Sequence, residues 1–295
     1  MVEKYKFTQE QYYEAERAAV RQLLDTVSCA KGKPTAIFVA AQPGAGKTGL
    51  AKKCMIDFIM GKSQEIVEFD PDVVGLHHPF YDEITKHDEA NSFQYLQQFV
   101  QPALKTLNAI AIKRKNNILT QGTFRDTEGY LSIFENLKAN GYNIEVNLLA
   151  VDSLESLMSS SERYFRFLES GINTRVVSTK PHNEAYKRMI ETVKEIERRN
   201  LADKIRIYQR GEQEFEPKLV YEKGDLRYRS AVEALMAERM KDRKRIISHP
   251  NEYSNRLNSL RQNIVNYGVE EYLEQWEYLN GEFEKALNPR EKGEW

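Results

Sequence analysis

The sequence predicts an α/β fold, in which a mostly parallel sheet is flanked by helices and followed by a helical C-terminal appendage. Strand-like apolar runs alternate with helical periodicity between residues 34 and 222, which is typical of parallel sheets with helices on both faces. After Gly224 the chain is rich in charged residues and helix formers. We therefore predict an N-terminal helical segment (1–33), a central α/β domain (34–222) and a helical C-terminal extension (223–295).

Helical and strand-like segments can be placed one by one along the chain. Thr8 and Gln11 have the spacing of a helix capping box, and the apolar residues that follow recur at helical spacing. The predicted helices cover about residues 8–29, 47–60, 88–115, 127–140, 153–169 and 182–199, and the predicted strands cover 35–40, 66–69, 117–120, 144–150 and 205–208. Because ligands of such sheets bind beyond the carboxyl ends of the strands, we expect the site at that edge.

Composition narrows the class of protein before any motif is considered. The 295 residues are 41% hydrophobic, which is enough for a sizeable core, and the net charge of −1 gives no attraction to nucleic acids or membranes. No apolar run approaches the ~20 residues that span a bilayer. The two cysteines, Cys29 and Cys54, lack metal-ligand spacing and fit a reducing compartment. We expect a soluble, cytoplasmic protein with neither a membrane nor a nucleic acid as partner.

A phosphate-binding loop follows the first predicted strand. The segment Ala41–Thr48 matches the P-loop pattern except that Ala41 replaces the first glycine. Gly44 and Gly46 let the backbone turn its N–H groups toward a polyphosphate, Lys47 can reach the β- and γ-phosphates, and Thr48 can ligate Mg²⁺. The predicted nucleotide-binding residues are Gln42, Pro43, Gly44, Ala45, Gly46, Lys47 and Thr48. The sheet is therefore predicted to be of the P-loop NTPase type, with ATP and Mg²⁺ as cofactors.

Two acidic residues follow the second predicted strand. Asp70 and Asp72 lie two positions apart at its carboxyl end, so one can position Mg²⁺ through water while the other accepts the proton of an attacking hydroxyl. We assign the metal to Asp70. The alternative is a solvated turn in which both acids cap a helix. The five histidines show no zinc-like spacing, and we interpret His78 as shaping the loop after Asp72.

Arginines in two later segments can stabilise a phosphoryl group during its transfer. The first segment contains Arg163 and Arg166, and the second is Thr174-Arg175. A kinase needs cations on the transferring group, and arginines from within the chain meet that need. Spacing alone is equally compatible with arginines on a solvated helix face.

Together, these motifs resemble the zeta-toxin family of bacterial kinases, also called UDP-N-acetylglucosamine kinases. The resemblance covers about residues 35–210. It is carried by the phosphate loop, by Asp72 with His78-Pro79, by Gly122-Thr123 with Arg125, by Glu162-Arg163-Tyr164, and by Thr174-Arg175. The ordered combination discriminates far better than the phosphate loop alone, which many families share.

The resemblance implies an activity and a role for each matching residue. The γ-phosphoryl group of ATP would pass to a hydroxyl of a UDP-N-acetylglucosamine-like sugar nucleotide, and a small antitoxin protein would be the partner. Asp72 would be the catalytic base. The other catalytic residues would be Lys47, Arg163 and Arg175, and the acceptor would contact Gln121, Thr123 and Arg125.

One departure from the family pattern leaves the acceptor open. Where the family has Glu before Gly-Thr, this chain has Gln121, and an amide both donates and accepts hydrogen bonds whereas a carboxylate only accepts. A chloramphenicol-phosphotransferase-like or other metabolite or nucleotide kinase is therefore an alternative. A nucleotide-binding regulatory ATPase is a second alternative from another class, although such proteins usually take an arginine from a partner.

Overall fold

The computed structural model describes residues 4–87, 92–171, 177–211 and 216–288. Six strands form one sheet in the order β2-β3-β1-β4-β5-β6. The strands are β1 (Thr35–Ala40), β2 (Val67–Phe69), β3 (Ile118–Gly122), β4 (Asn143–Leu149), β5 (Lys204–Gln209) and β6 (Lys218–Glu222). The helices are α1 (Gln9–Leu23), α2 (Lys47–Lys62), α3 (Pro71–Gly75), α4 (Tyr81–His87), α5 (Ser92–Arg114), α6 (Thr127–Ala139), α7 (Ser153–Glu169), α8 (Thr179–Arg198), α9 (Ala231–Ser248), α10 (Pro250–Tyr267) and α11 (Leu273–Leu287).

The sheet confirms the predicted fold class. Strand β1 is buried along its whole length and pairs in parallel with β3 and β4, as expected for a central strand that reads as one continuous apolar run. All five predicted strands are present and run parallel to one another. The carboxyl ends of β1, β2 and β3 therefore meet at one edge of the sheet, where the phosphate loop and Asp70 follow their strands and Gln121 lies near the end of β3.

Strand β6 is not predicted by the sequence analysis. It pairs antiparallel with β5 at the edge of the sheet, with a register shift between Ile207 and Tyr208. Its ends are the exposed charged residues Lys218 and Glu222, so it lacks the apolar run that identifies the buried strands. Edge strands carry charged side chains because these discourage pairing with other chains.

The N-terminal helix begins as predicted and ends earlier. Thr8 and Gln11 form the reciprocal capping box, while α1 stops at Leu23 instead of residue 29. The backbone beyond the helix bonds elsewhere: Asn116 donates to the carbonyls of Val27 and Ser28. These tertiary hydrogen bonds replace the helical ones and tie the segment to the start of β3.

The C-terminal helices pack in two different places. Ala231, Ala234 and Leu235 of α9 lie in the same core as the sheet. Helices α10 and α11 instead form a second core with α7, in which Leu257 and Leu279 are buried. The boundary at residue 223 stays a prediction, although the helical character of this region is confirmed.

No helix among the described residues has the length and apolar character that a membrane crossing requires.

Candidate active site

The backbone of the phosphate loop requires its two glycines. Gly44 and Gly46 have φ angles of +75° and +99°, which lie in the left-handed region where a side chain is costly. A Cβ atom on Gly44 would also overlap the backbone carbonyl oxygen of Ser156 in the first turn of α7. The first turn of α7, the helix that carries Arg163, therefore packs directly against the loop.

Ala41 fits its position without strain. Its φ angle is not positive, so a methyl group meets none of the cost that makes glycine necessary elsewhere in the loop. Its N–H donates to the carbonyl of Gly122 at 3.2 Å, and its own carbonyl accepts from Nζ of Lys47 at 2.9 Å. The departure at the first glycine of the P-loop pattern therefore leaves the loop conformation intact.

Lys47 and Arg163 form a cationic pair at the loop. Nζ of Lys47 donates to the carbonyls of Ala41 and Gln42 at 2.9 and 3.2 Å. Burial, together with the charge of Arg163, lowers the pKa of Lys47 to about 8. Arg163 itself is exposed on α7. Two cations converging on one glycine-rich loop make a site for a highly charged anion.

Gln42 supports the loop from behind. Its buried amide donates to the carbonyl of Val151 at 2.8 Å and to Oγ of Ser156 at 3.0 Å. Oγ of Ser156 is 2.9 Å from Nε2 of His182, and Nη2 of Arg239 donates to Oε1 of Gln42 at 3.4 Å. The side chain of Gln42 is therefore committed to the protein interior, and its predicted nucleotide contact rests on its backbone.

Arg239 is an unusual member of this buried network. It comes from α9, is 3% exposed, and stacks on the ring of Tyr186 at 3.9 Å from the ring centroid. Desolvation lowers its pKa, and no carboxylate among the described residues forms a salt bridge with it. A C-terminal helix thus contributes a buried cation behind the phosphate loop.

Arg210 is a loop contact that the sequence analysis missed. It follows β5 directly, and its guanidinium donates to the carbonyl of Gly44 at 2.6 Å, to Oε1 of Glu155 at 3.1 Å and to Oγ of Ser159 at 2.9 Å. Its place at the carboxyl end of a predicted strand was the available signal. Beside it lies a cavity of about 500 Å³ that is also lined by residues of α9 and α10.

The acids after β2 have different environments. Asp70 is the N-cap of α3, and its Oδ1 accepts from the backbone N–H of Asp72 at 2.9 Å. Asp72 lies exposed in the first turn of the same helix. The capping interpretation thus describes Asp70, while its metal role stays a prediction. Among the described residues no cluster of three or more His, Cys, Asp or Glu side chains could hold a metal ion.

His78 is buried in an aromatic cluster below these acids. Its Nδ1 accepts from the backbone N–H of Phe80 at 3.0 Å, and its ring makes edge contacts with Phe7 and Phe99. Burial lowers its pKa to about 4, so the imidazole is neutral near pH 7. This geometry fits the interpretation of His78 as a residue that shapes the loop after Asp72.

The end of β3 carries the residues predicted to hold the acceptor. We call this group, together with Glu68, the acceptor wall. Nε2 of Gln121 donates to Oε1 of Glu68 on β2 at 2.9 Å. The hydroxyl of Tyr130 occupies the space where a Cβ atom on Gly122 would lie. The sequence analysis missed both Glu68 and Tyr130, because neither lies in the Gly-Thr-x-Arg segment.

The remaining predicted residues are less enclosed. Arg125 is half-exposed and lies 3.9 Å from Glu184 of α8. Thr123 is partly buried. Arg175 and Thr174 lie outside the described residues. The structure thus places Arg163 close enough to the loop to affect Lys47, Asp72 in the first turn of α3 after β2, and Gln121 near the end of the adjacent strand β3.

The strand order, the glycine loop between β1 and α2, and the lysine at the start of α2 define a P-loop protein. A sequence model of the zeta toxin family matches residues 20–216, which is more than half of the chain. The chain belongs to the zeta toxin family. The match includes the phosphate loop, the acids after β2 and Arg163.

Curated relatives agree with this assignment. The chain is 24% identical over 178 residues to Toxin zeta of Enterococcus hirae, covering 60% of this chain and 61% of the relative. It is 26% identical over 179 residues to Toxin PezT of Streptococcus pneumoniae serotype 4, covering 60% and 69%. The chain thus spans about three fifths of the length of the Enterococcus hirae relative.

The fold recurs in solved structures. One comes from the PezAT chromosomal toxin-antitoxin system of Streptococcus pneumoniae, with a TM-score of 0.70 at 22% identity, covering 87% of this chain and 98% of the other. Another is AvrRxo1-ORF1:-ORF2 with ATP, with a TM-score of 0.52 at 11% identity, covering 86% and 83%. At these identities the likeness concerns the fold.

Proposed function

We propose that this protein is an ATP-dependent kinase that transfers the γ-phosphoryl group to a hydroxyl of a UDP-N-acetylglucosamine-like sugar nucleotide. The observation that carries the proposal is the phosphate loop with Lys47 at the start of α2 and with Arg163 near enough to lower the pKa of Lys47, together with Asp72 in the first turn of α3 after β2. A loop that only binds a nucleotide requires its glycines and Lys47. A transferase also requires the arginine and the base.

The donor side accounts for nucleotide binding. The backbone N–H groups of the loop and the start of α2 face the phosphates, and Lys47 turns from the carbonyls of Ala41 and Gln42 to the β- and γ-phosphates. Thr48 and Asp70 would hold Mg²⁺: an exposed hydroxyl and carboxylate oxygens are the hard donors that this ion prefers. When bound, the ion neutralises charge on the β- and γ-phosphate oxygens. A solved structure of the same fold contains ATP.

The residues on the acceptor side account for the transfer of the phosphoryl group to the acceptor hydroxyl. Asp72 takes the proton of the acceptor hydroxyl as its oxygen attacks the γ-phosphorus, and the β–γ bridging oxygen leaves with ADP. Arg163 and Arg175 stabilise the negative charge on the transferring group. Gln121, Thr123 and Arg125 hold the acceptor.

The names of the relatives suggest the biological setting. Toxin zeta and Toxin PezT are named as toxins, and the PezAT structure belongs to a toxin-antitoxin system. We extend this to the present chain as a cytoplasmic toxin that a small antitoxin protein restrains.

The decisive experiment incubates purified protein with ATP, Mg²⁺ and UDP-N-acetylglucosamine and follows the sugar nucleotide by mass spectrometry. The expected result is a gain of one phosphoryl group. Transfer to chloramphenicol or another metabolite, but not to the sugar nucleotide, would support the alternative acceptor that Gln121 favours. Rapid ATP hydrolysis that no acceptor accelerates would support a regulatory ATPase instead.

A further inference from the structure

Glu68 on β2 places its carboxylate next to the amide of Gln121 on β3. Glu68 and Gln121 lie on adjacent parallel strands, where Glu68 is level with Leu119. Since side chains alternate across a strand, Gln121 is on the same face as Leu119 and two residues nearer the carboxyl edge. Nε2 of Gln121 spans this step to Oε1 of Glu68 at 2.9 Å. Both side chains are partly buried.

We infer that Glu68 locks the Gln121 amide in one orientation, so that Gln121 offers only its carbonyl oxygen to the acceptor substrate. An ionised carboxylate accepts hydrogen bonds and donates none. The amide must therefore turn its NH₂ group toward Glu68, because the flipped orientation would bring two oxygen atoms together. Among the described residues the side-chain hydrogen bond of Gln121 is the one from Nε2 to Glu68, and none to its Oε1 is formed.

This lock determines what the site recognises. A free glutamine can meet a hydroxyl as a donor or as an acceptor, whereas a locked one presents an oxygen that only accepts. The charge of Glu68 polarises the amide and strengthens that acceptor. Glu68 is thus a positioning residue, which selects substrates that offer a hydroxyl donor and disfavours those that offer an anionic oxygen.

The backbone that follows Gln121 is fixed by its surroundings. The hydroxyl of Tyr130 fills the space beside Gly122. Phe124, which is fully buried, has a left-handed φ of +53°, a conformation that persists only where the surroundings impose it. The chain beyond Gln121 is therefore held in place, and the hydrogen bond to Glu68 adds a constraint on the orientation of the amide.

The test uses three variants: E68Q, Q121E and the exchange E68Q/Q121E. The inference rests on the proposed function, so wild-type transfer to UDP-N-acetylglucosamine is measured first. E68Q frees the amide and is expected to raise the KM for UDP-N-acetylglucosamine about tenfold, with the KM for ATP unchanged. Q121E places two carboxylates in contact and raises the same KM at pH 8. The exchange restores a donor facing an acceptor, and its KM should lie within about threefold of wild type.

Thermal unfolding supplies a readout that does not depend on the acceptor. Q121E should melt below wild type at pH 8 and regain stability at pH 5, where one carboxylate of the pair holds a proton, whereas the exchange variant should melt as wild type at both. Equal melting of Q121E and wild type at pH 8, or unchanged KM values in E68Q and Q121E, would overturn the inference. If wild type ignores UDP-N-acetylglucosamine while the Q121E melting deficit disappears in the exchange variant, the proposed acceptor fails and the lock stands.

Discussion

The candidate site has a donor wall, which is the phosphate loop with the residues packed behind it, and an acceptor wall at the end of β3. The two walls are built differently. The donor wall rests on a buried polar network in which Gln42 is 0% exposed and Arg239 is 3% exposed. The acceptor wall is formed by partly buried side chains, and its ion pair between Arg125 and Glu184 is half-exposed. We therefore expect phosphate binding to depend on the stability of the fold, and acceptor recognition to change through a few substitutions that the fold tolerates.

The largest expected effect separates binding from transfer. Replacing Asp72 with Asn should lower kcat by about 10²–10⁴-fold, because an amide cannot take the proton of the acceptor hydroxyl. ATP affinity should remain that of wild type, since the loop residues are unchanged. Steady-state transfer and equilibrium ATP titration measure the two quantities.

The matched control is the neighbouring acid. Asp70→Asn retains a capping residue for α3, because Asn is as good an N-cap as Asp. It keeps the proton acceptor and should lose Mg²⁺ affinity rather than transfer at saturating Mg²⁺. Normal transfer by the Asp72→Asn variant would show that the base lies elsewhere.

The next effect concerns how α7 is held over the loop. Arg256 of α10 bonds to Glu155 at 2.8 and 3.1 Å and to Glu162 at 2.7 and 2.9 Å, so it holds the first turn and the middle of α7 along one face of the helix. Arg256→Met would leave the buried Glu155 carboxylate with fewer cations. We expect a loss of about 2 kcal/mol in the free energy of unfolding, below the range for fully buried pairs because Glu162 is partly exposed.

The control for this prediction lies on the same helix. Arg261 is exposed and contacts the Trp276 ring at 5.0 Å, so Arg261→Met should cost well under 1 kcal/mol. Urea unfolding measures both variants. Arg256→Met should also lower kcat, since Arg163 is carried by the helix that Arg256 holds, and equal stability of the two variants would contradict the clamp.

Two glutamines allow a direct comparison of the walls. Gln42→Leu leaves the carbonyl of Val151 and the hydroxyl of Ser156 without their buried donor, and it should cost about 2 kcal/mol in unfolding free energy. Gln121→Leu removes one hydrogen bond in a partly solvated position and should cost less than about 1 kcal/mol. If chemical denaturation ranks the two variants in the opposite order, the contrast between the walls is wrong.

How far the sequence predicts this site follows from the range of its contacts. The phosphate loop is legible because its glycines and lysine are contiguous. The partners of Gln42 are not, because Val151, Ser156 and Arg239 lie 109, 114 and 197 residues away. The same holds for Glu68, which is 53 residues from Gln121.

The fold shows the same limit. Continuous apolar runs such as Thr35–Ala40 identify the buried parallel strands, whereas the charged edge strand β6 and the short helices α3 and α4 have no periodicity long enough to be recognised. What depends on a local pattern could be predicted. Which polar side chains share a buried network could not.

The smallest effect is a pH dependence of ATP binding. The pKa of Lys47 is lowered to about 8 by burial and by Arg163, so the lysine loses its charge as the pH rises through this value. Bound polyphosphate favours the charged form and raises the pKa. ATP affinity should therefore be constant below pH 8 and fall by up to about tenfold per pH unit above it. Arg163→Met removes one cause of the lowered pKa, so the decline should begin at higher pH. Titration with a fluorescent ATP analogue between pH 7 and pH 9.5 measures both onsets, and coincident curves would separate Arg163 from the donor wall.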